Sequence, residues 1–227
     1  MNANPDSTDE YQLMTPFDAI FRSAHFIKSA EKLSQCPLDQ GLEVAFAGRS
    51  NAGKSTALNT LTNQKKLART SKTPGRTQLI NCFGLSVSDR RLIDLPGYGF
   101  AKVPIAMKKV WQAHMQDYLM NRRSLAGVVL VMDIRHPLKE FDEMMLEWAK
   151  SNGMKVHVLL TKSDKLKRGP AKTAMFTVQK AIKEQGVDGT VQTFSALNND
   201  GLDELRTQLA SWLVFDNLDE IPISPHA

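Results

Sequence analysis

Eight residues, Gly48-Arg49-Ser50-Asn51-Ala52-Gly53-Lys54-Ser55, constrain this chain more than any other stretch, because they fit GxxxxGK[ST] between two segments of different character. Residues 42–47, Leu-Glu-Val-Ala-Phe-Ala, are a short apolar run suited to a buried strand, and 55–61 are good helix material. A strand, a glycine-bounded loop and a helix in that order make a cradle for phosphate. Glycines at 48 and 53 let backbone N–H groups approach phosphate oxygens without an intervening Cβ, and the helix turns its positive end toward the same charge. In such a loop Lys54 neutralises the β- and γ-phosphates, and the Ser55 hydroxyl ligates a Mg²⁺ between them.

The rest of the chain alternates strands and helices around this loop. Residues 79–87 and 91–95 read as a hairpin. Its second strand delivers Asp94-Leu95-Pro96-Gly97, a DxxG pattern in which Asp94 would hold Mg²⁺ through water and the Gly97 N–H would meet the γ-phosphate. Between loop and hairpin lies a polar, basic stretch, 63–79, whose Thr70, Thr73 and Thr77 are each candidates for a second Mg²⁺ oxygen. Met107, Val110, Trp111, His114, Met115 and Tyr118 recur at helical spacing as a core stripe, with His114 packed on it. A buried strand follows at 127–133, then a helix with Phe141, Met144, Met145 and Trp148, closed by Gly153 as its C-cap. The strand 155–160 ends in Thr161-Lys162-Ser163-Asp164, which fits [NT]KxD. Its carboxylate accepts from both N1–H and the exocyclic amine of guanine, and adenine offers no matching pair of donors. A basic helix over 171–185 leads to a strand at 190–194 and to Phe194-Ser195-Ala196, whose backbone would contact the guanine carbonyl. A last helix starts with Asp200 as N-cap and turns Leu202, Leu205, Leu209, Trp212 and Leu213 inward. Residues 24–30 suit an edge strand or part of a helix equally.

This order predicts an α/β fold, a mostly parallel, doubly wound sheet with one antiparallel hairpin strand and the ligand at the strands' carboxyl ends. With 227 residues the chain suits one domain, 17–213, between an acidic N-terminal tail at 1–16 expected to be disordered and an acidic C-terminal tail at 214–227. Cys36 and Cys82 suggest no disulfide framework, which points to a reducing cytoplasm. The five histidines lack metal-ligand spacing, and no apolar run is long enough to span a bilayer. Each tail holds three acids and no base, so with a net charge of +5 the body between them carries the difference, +11. A solvated surface and a polyanion-binding surface both fit that charge.

The phosphate loop, the stretch Thr70-Ser71-Lys72-Thr73-Pro74-Gly75-Arg76-Thr77-Gln78, DLPGYG, Asp133-Ile134-Arg135-His136-Pro137-Leu138 and TKSD together resemble the bacterial EngB (YihA/YsxC) family of ribosome-assembly GTPases over roughly 20–215. The resemblance implies a small G-protein-like, three-layer P-loop NTPase fold. It also implies a Mg²⁺-dependent GTPase that acts as a nucleotide switch in large (50S) ribosomal subunit assembly and is needed for cell division and septation. It places Mg²⁺ on Ser55 and Thr77. Nucleotide contacts are expected at 48–55, at Gly75, Arg76, Thr77, Gln78 and Leu79, at 94–97, at 161–164 and at 194–196, with Lys54, Thr77 and Asn51 as the catalytic set. Asn51 matches the asparagine of potassium-activated relatives, which adds K⁺ as a second cofactor; a turn-stabilising role competes for the same residue. Tyr98 stands where many switch GTPases carry the glutamine that orients water, so intrinsic hydrolysis should be slow. TKSD in place of NKxD should remove a brace from the phosphate loop. Expected partners are GTP or GDP and large-subunit rRNA, with no DNA, no membrane and a monomeric chain. The competing readings are a GTP-gated protein-binding module at the division site and, less favoured by TKSD, an ATP-dependent kinase.

Overall fold

The computed structural model describes residues 16–68, 79–98 and 105–215. Both acidic tails lie outside the described residues except at Pro16, Val214 and Phe215, as do Thr70, Thr73 and Gly75 through Gln78. The elements in chain order are α1 (Pro16–Arg22), β1 (His25–Ala30), β2 (Leu42–Gly48), α2 (Lys54–Leu61), β3 (Ile80–Gly84), β4 (Arg90–Asp94), α3 (Ile105–Asn121), β5 (Leu125–Asp133), α4 (Glu140–Ser151), β6 (Val156–Thr161), α5 (Arg168–Gln185), β7 (Gly189–Thr193) and α6 (Leu202–Leu213).

The seven strands form one sheet in the order β1-β3-β4-β2-β5-β6-β7. Only β3 runs against the others: it pairs antiparallel with both β1 and β4, whereas β4-β2-β5-β6-β7 are parallel. A parallel sheet needs both faces covered, and successive residues of its strands divide between two cores. Ala45, Ala47, Val128, Leu130 and Met132 join Met115, Tyr118, Met145, Leu146, Val178 and Ile182 from α3, α4 and α5. Val44, Phe46, Val129 and Val131 join Phe21, Leu58, Leu61, Leu205 and Leu209 from α1, α2 and α6. The result is three layers, as the alternation of strands and helices predicts.

Residues 24–30, which suit either element, divide between them: α1 ends at Arg22 and β1 is an edge strand with a bulge between Phe26 and Lys28. Phe215 packs on Phe17 and Phe21, and the Arg206 guanidinium pairs with Asp18, which ties α1 to α6. On α4, Met145 and Leu146 turn inward and Met144 is 43% exposed. One expectation is corrected. The N-cap of α6 is Gly201 at φ +77°, where a Cβ would collide with the Thr193 carbonyl, and Asp200, one residue earlier, accepts at its carbonyl from Ser195 N (3.0 Å). His114 is half-buried, and Cys36 and Cys82 are both free thiols.

At the amino end of β2 the sheet is pinned by a buried carboxylate. Glu43 accepts from Arg91 Nε (2.5 Å), Arg122 Nε (2.8 Å), Arg122 Nη2 (2.6 Å) and the Tyr118 hydroxyl (2.7 Å). Burial alone would raise its pKa. The hydrogen bonds from Arg122, Tyr118 and Arg91, with the Arg122 charge, hold it below the ordinary glutamate value.

Candidate functional site

The residues singled out by sequence gather at the carboxyl ends of β2, β4, β6 and β7. Gly48 closes β2, and a Cβ there would come within 2.7 Å of the Val131 carbonyl. The loop that follows turns at Asn51 (φ +65°) and at Gly53 (φ +100°). Asparagine tolerates the left-handed region better than most side chains, so its conformation accounts for Asn51 at this turn. Its side chain is exposed, as is that of Arg49, while Ala52 is buried. Lys54 and Ser55 open α2, and Lys54 is buried with its ammonium on the Asp94 carboxylate at the end of β4. Leu95 and Pro96 are buried behind Asp94, and Gly97 passes against the loop, its Cβ position 3.5 Å from Ser50 Cα. Ser50 N donates to the Tyr98 carbonyl (2.7 Å), which joins the DLPGY segment to the phosphate loop. Leu79 is half-buried ahead of β3; Gly75, Arg76, Thr77 and Gln78 lie outside the described residues.

The TKSD segment is wired to the same loop. The Thr161 hydroxyl bonds the Ala52 carbonyl and lies 3.1 Å from the Met132 carbonyl. The expected loss of a brace is therefore corrected: threonine on a strand this close to the loop reaches it with a hydroxyl alone. Lys162 Nζ donates to Asn51 O (2.7 Å) and to Asp133 Oδ2 (2.9 Å), and Arg135 Nη2 meets the same Asp133 oxygen at 2.6 Å. Burial opposes ionisation of Asp133, but Arg135 and Lys162 override it and hold its pKa far below the usual range. Ser163 N donates to Phe194 O (3.1 Å), and the fully buried Ser195 donates its hydroxyl to Asp164 Oδ1 (2.9 Å). Lys165 sits 2.9 Å from the other Asp164 oxygen. Together Lys165 and Ser195 keep Asp164 below the ordinary aspartate pKa, so it stands as an ionised, oriented acceptor. Ala196 follows half-exposed.

Three features were invisible from motif spacing. The hydroxyl of Ser195 orients Asp164, where only the local backbone was expected to act. Tyr98 is buried and turned toward α4, stacked on Phe141 with its hydroxyl donating to Asp142 Oδ1 (3.0 Å). Asp142 also caps α4 by accepting from Lys139 N (3.0 Å). Burial raises the Asp142 pKa, although the Lys139 N–H, the Tyr98 hydroxyl and the Arg49 charge favour its carboxylate. Behind the loop, Ser50, Asn51, Met132, Asp133 and Lys162 line a cavity of about 200 Å³.

The donor set suits Mg²⁺ held with phosphate. Hard hydroxyl and carboxylate oxygens of Ser55 and Asp94 stand at the mouth of the loop, and among the described residues no cluster of three His, Cys, Asp or Glu offers an all-protein cage. Among the described residues no helix is long and apolar enough to cross a membrane.

Comparison with known proteins agrees with this geometry. The profile of a family described as "50S ribosome-binding GTPase" matches residues 43–162. A protein of Acinetobacter baumannii described as "Probable GTP-binding protein EngB" is 58% identical over 187 residues, 82% of this chain and 89% of its own. One of the same description from Acinetobacter baylyi is 58% identical over 185 residues, 82% of this chain and 78% of its own. A crystal structure described as a probable GTP-binding protein engB superposes with a TM-score of 0.61 at 23% identity, over 76% of this chain and 98% of that one. A bacterial selenocysteine-specific elongation factor, EF-Sec, superposes with a TM-score of 0.57 at 22% identity, over 78% of this chain and 29% of that one. At such identities the structural likeness is one of fold, and it is the sequence relationship that decides the family. On that ground the chain belongs to the EngB family of GTP-binding proteins.

Proposed function

We propose that this chain is a slow, Mg²⁺-dependent GTPase that switches between a triphosphate state docked on the large ribosomal subunit and a released diphosphate state, acting in subunit assembly and through it in cell division and septation. The observation that carries the nucleotide part is the wiring of Ser195 to Asp164 and of Thr161 and Lys162 to the phosphate loop, which supports one ligand bridging a guanine acceptor and a phosphate cradle. The family description, the +11 body and the cytoplasmic setting suggested by free thiols support the ribosomal part.

In this reading the backbone of 48–54 and Lys54 hold the phosphates, and Asp164 and the 194–196 backbone hold guanine. Lys54 leaves Asp94 for the β- and γ-phosphates, which would free the Asp94 carboxylate to help hold Mg²⁺ through water. Ser55 and Thr77 would hold Mg²⁺, which when bound neutralises charge between the β- and γ-phosphates. Gly75 through Leu79 and Gly97 close on the γ-phosphate and loosen after hydrolysis. Slow turnover follows from Tyr98, whose hydroxyl is committed to Asp142 and is a poor orienter of water. Potassium beside Asn51 would raise the rate, and equal rates in K⁺ and Na⁺ buffers would remove it from the account. Depleting the protein from its cell tests the assembly role: incomplete large subunits should accumulate in sucrose gradients, and a normal subunit profile would refute it.

A further inference from the structure

Helix α5 carries a stripe that the nucleotide chemistry does not use. From Lys165 to Lys183 the chain holds six basic residues and no acidic one. At 3.6 residues per turn, Arg168, Lys172, Phe176, Lys180 and Lys183 fall within an arc of about 120°. The opposite side of the helix buries Val178 and Ile182 in the core under the sheet. Arg168, Lys172 and Lys183 are exposed and, among the described residues, have no ion-pair partner; Lys180 makes only an exposed contact with Glu184 at 3.6 Å. Phe176 stands in the middle of these cations with 56% of its surface open to solvent. α4, which packs beside α5, exposes Glu143 and Glu147 together with Lys150. The cations of α5 thus form a strip along one face of the helix, about 22 Å from Arg168 to Lys183 at 1.5 Å per residue.

We infer that this strip of α5 is a docking surface for single-stranded or looped RNA, with an unpaired base stacked on Phe176 and the phosphates to either side of it on Arg168, Lys172, Lys180 and Lys183. Cations spaced along one face of a helix favour a thin polyanion lying along the axis, and an exposed aromatic among them is a platform for any base. An anionic lipid surface fits less well, because the apolar side of α5 is spent on the core and Phe176 alone is left to insert. This assignment deepens the ribosomal reading and rests on it for the source of the strand. Since α5 holds none of the residues expected at the γ-phosphate, its contribution is the same with either nucleotide.

The test uses the full chain and a labelled, mixed-sequence single-stranded RNA, titrated at several salt concentrations. The triple variant Arg168→Gln, Lys172→Gln, Lys183→Gln should make the slope of log affinity against log salt shallower by about 2, at roughly 0.7 per phosphate contact. Phe176→Ala should weaken binding about 5- to 150-fold and leave the salt slope unchanged. GTP affinity of both variants reports that they fold. Wild-type slope and affinity in both variants overturn the inference, as does absence of RNA binding by the wild type, or equal, charge-dependent binding to phosphatidylglycerol vesicles. If the variants behave as expected with RNA but the wild type ignores large ribosomal subunits, the surface stands and the ribosomal reading falls. If the wild type binds subunits only in its triphosphate state and the variants do so equally well, the reverse holds.

Discussion

Replacing Glu43 with glutamine should destabilise the fold severely without touching the nucleotide site. The carboxylate is fully buried and receives three N–H bonds from two guanidinium groups that are themselves 6% and 5% exposed. Removing one partner of a buried ion pair typically costs about 3–5 kcal/mol, because the surviving charges stay out of water without compensation. Here the loss belongs at the lower end: Arg91 keeps the Leu38 carbonyl (3.2 Å) and that of Gln40, and Arg122 keeps the Pro37 carbonyl (2.9 Å). About 3 kcal/mol corresponds to roughly 6–12 °C in melting temperature for a chain of this size. Acid provides an independent check. Because the folded-state pKa of Glu43 is depressed, its contribution is present above the unfolded value near 4.5 and is lost as pH falls below it, and Glu43→Gln should lack that portion of the acid response. Equilibrium urea unfolding followed by tryptophan fluorescence, at pH 7 and pH 4, measures both. Glu43 lies five residues from Gly48, about 16 Å along β2 at 3.3 Å per residue, so GDP affinity well below the melting temperature should be unchanged. A loss under 1 kcal/mol, or a loss of affinity without loss of stability, would refute the reasoning.

Three further perturbations bear on the site and its supports. Thr161→Val leaves the Ala52 carbonyl without its hydroxyl partner, and calorimetry should show GDP and GTP bound about 2- to 10-fold more weakly with guanine preference intact; unchanged affinity would mean that the contact does not brace the loop. Tyr98→Phe strands a buried Asp142 oxygen and should lower stability by about 1–3 kcal/mol, so a melting temperature equal to wild type would deny the link between the DLPGY segment and α4. His157 is held neutral: burial drops its pKa to about 4, Nε2 donates to Gln192 (2.9 Å), and Nδ1 accepts from the Thr190 hydroxyl (2.7 Å). The unfolded chain takes up that proton near pH 6.5 and the folded chain does not. From pH 7 to pH 5 the chain should therefore lose about 2 kcal/mol that His157→Gln does not lose, and parallel pH profiles for the two would contradict this.

The parallel core and the site loops were legible because both are local signals. Apolar runs such as 42–47 and 127–133 have the length and composition of strands buried on both faces, and each motif sits at a strand end that topology alone turns toward the ligand. Local signals also marked the limit. The basic helix expected over 171–185 begins instead at Arg168, because Pro170 is tolerated in a helix's first turn. β1 resisted assignment because five of its six residues are exposed and a bulge interrupts its register, so it has no alternation to read. The contacts missed altogether join distant residues: Glu43 with Arg91 and Arg122, Ser195 with Asp164, Tyr98 with Asp142, Thr161 with the loop. Single-residue patterns carry no trace of such pairs, since a serine or glutamate looks the same whether it meets water or a partner thirty or eighty positions away.

The affinity of the full chain for purified large ribosomal subunits, measured with GDP and with a non-hydrolysable GTP analogue at two salt concentrations, tests the central proposal most directly. The account predicts binding at least about 5-fold tighter in the triphosphate state, within the usual range of such coupling, and a steep loss with added salt in either state. Equal affinity in the two nucleotide states would contradict the switch. Binding indifferent to salt would contradict docking on RNA and favour a protein partner instead.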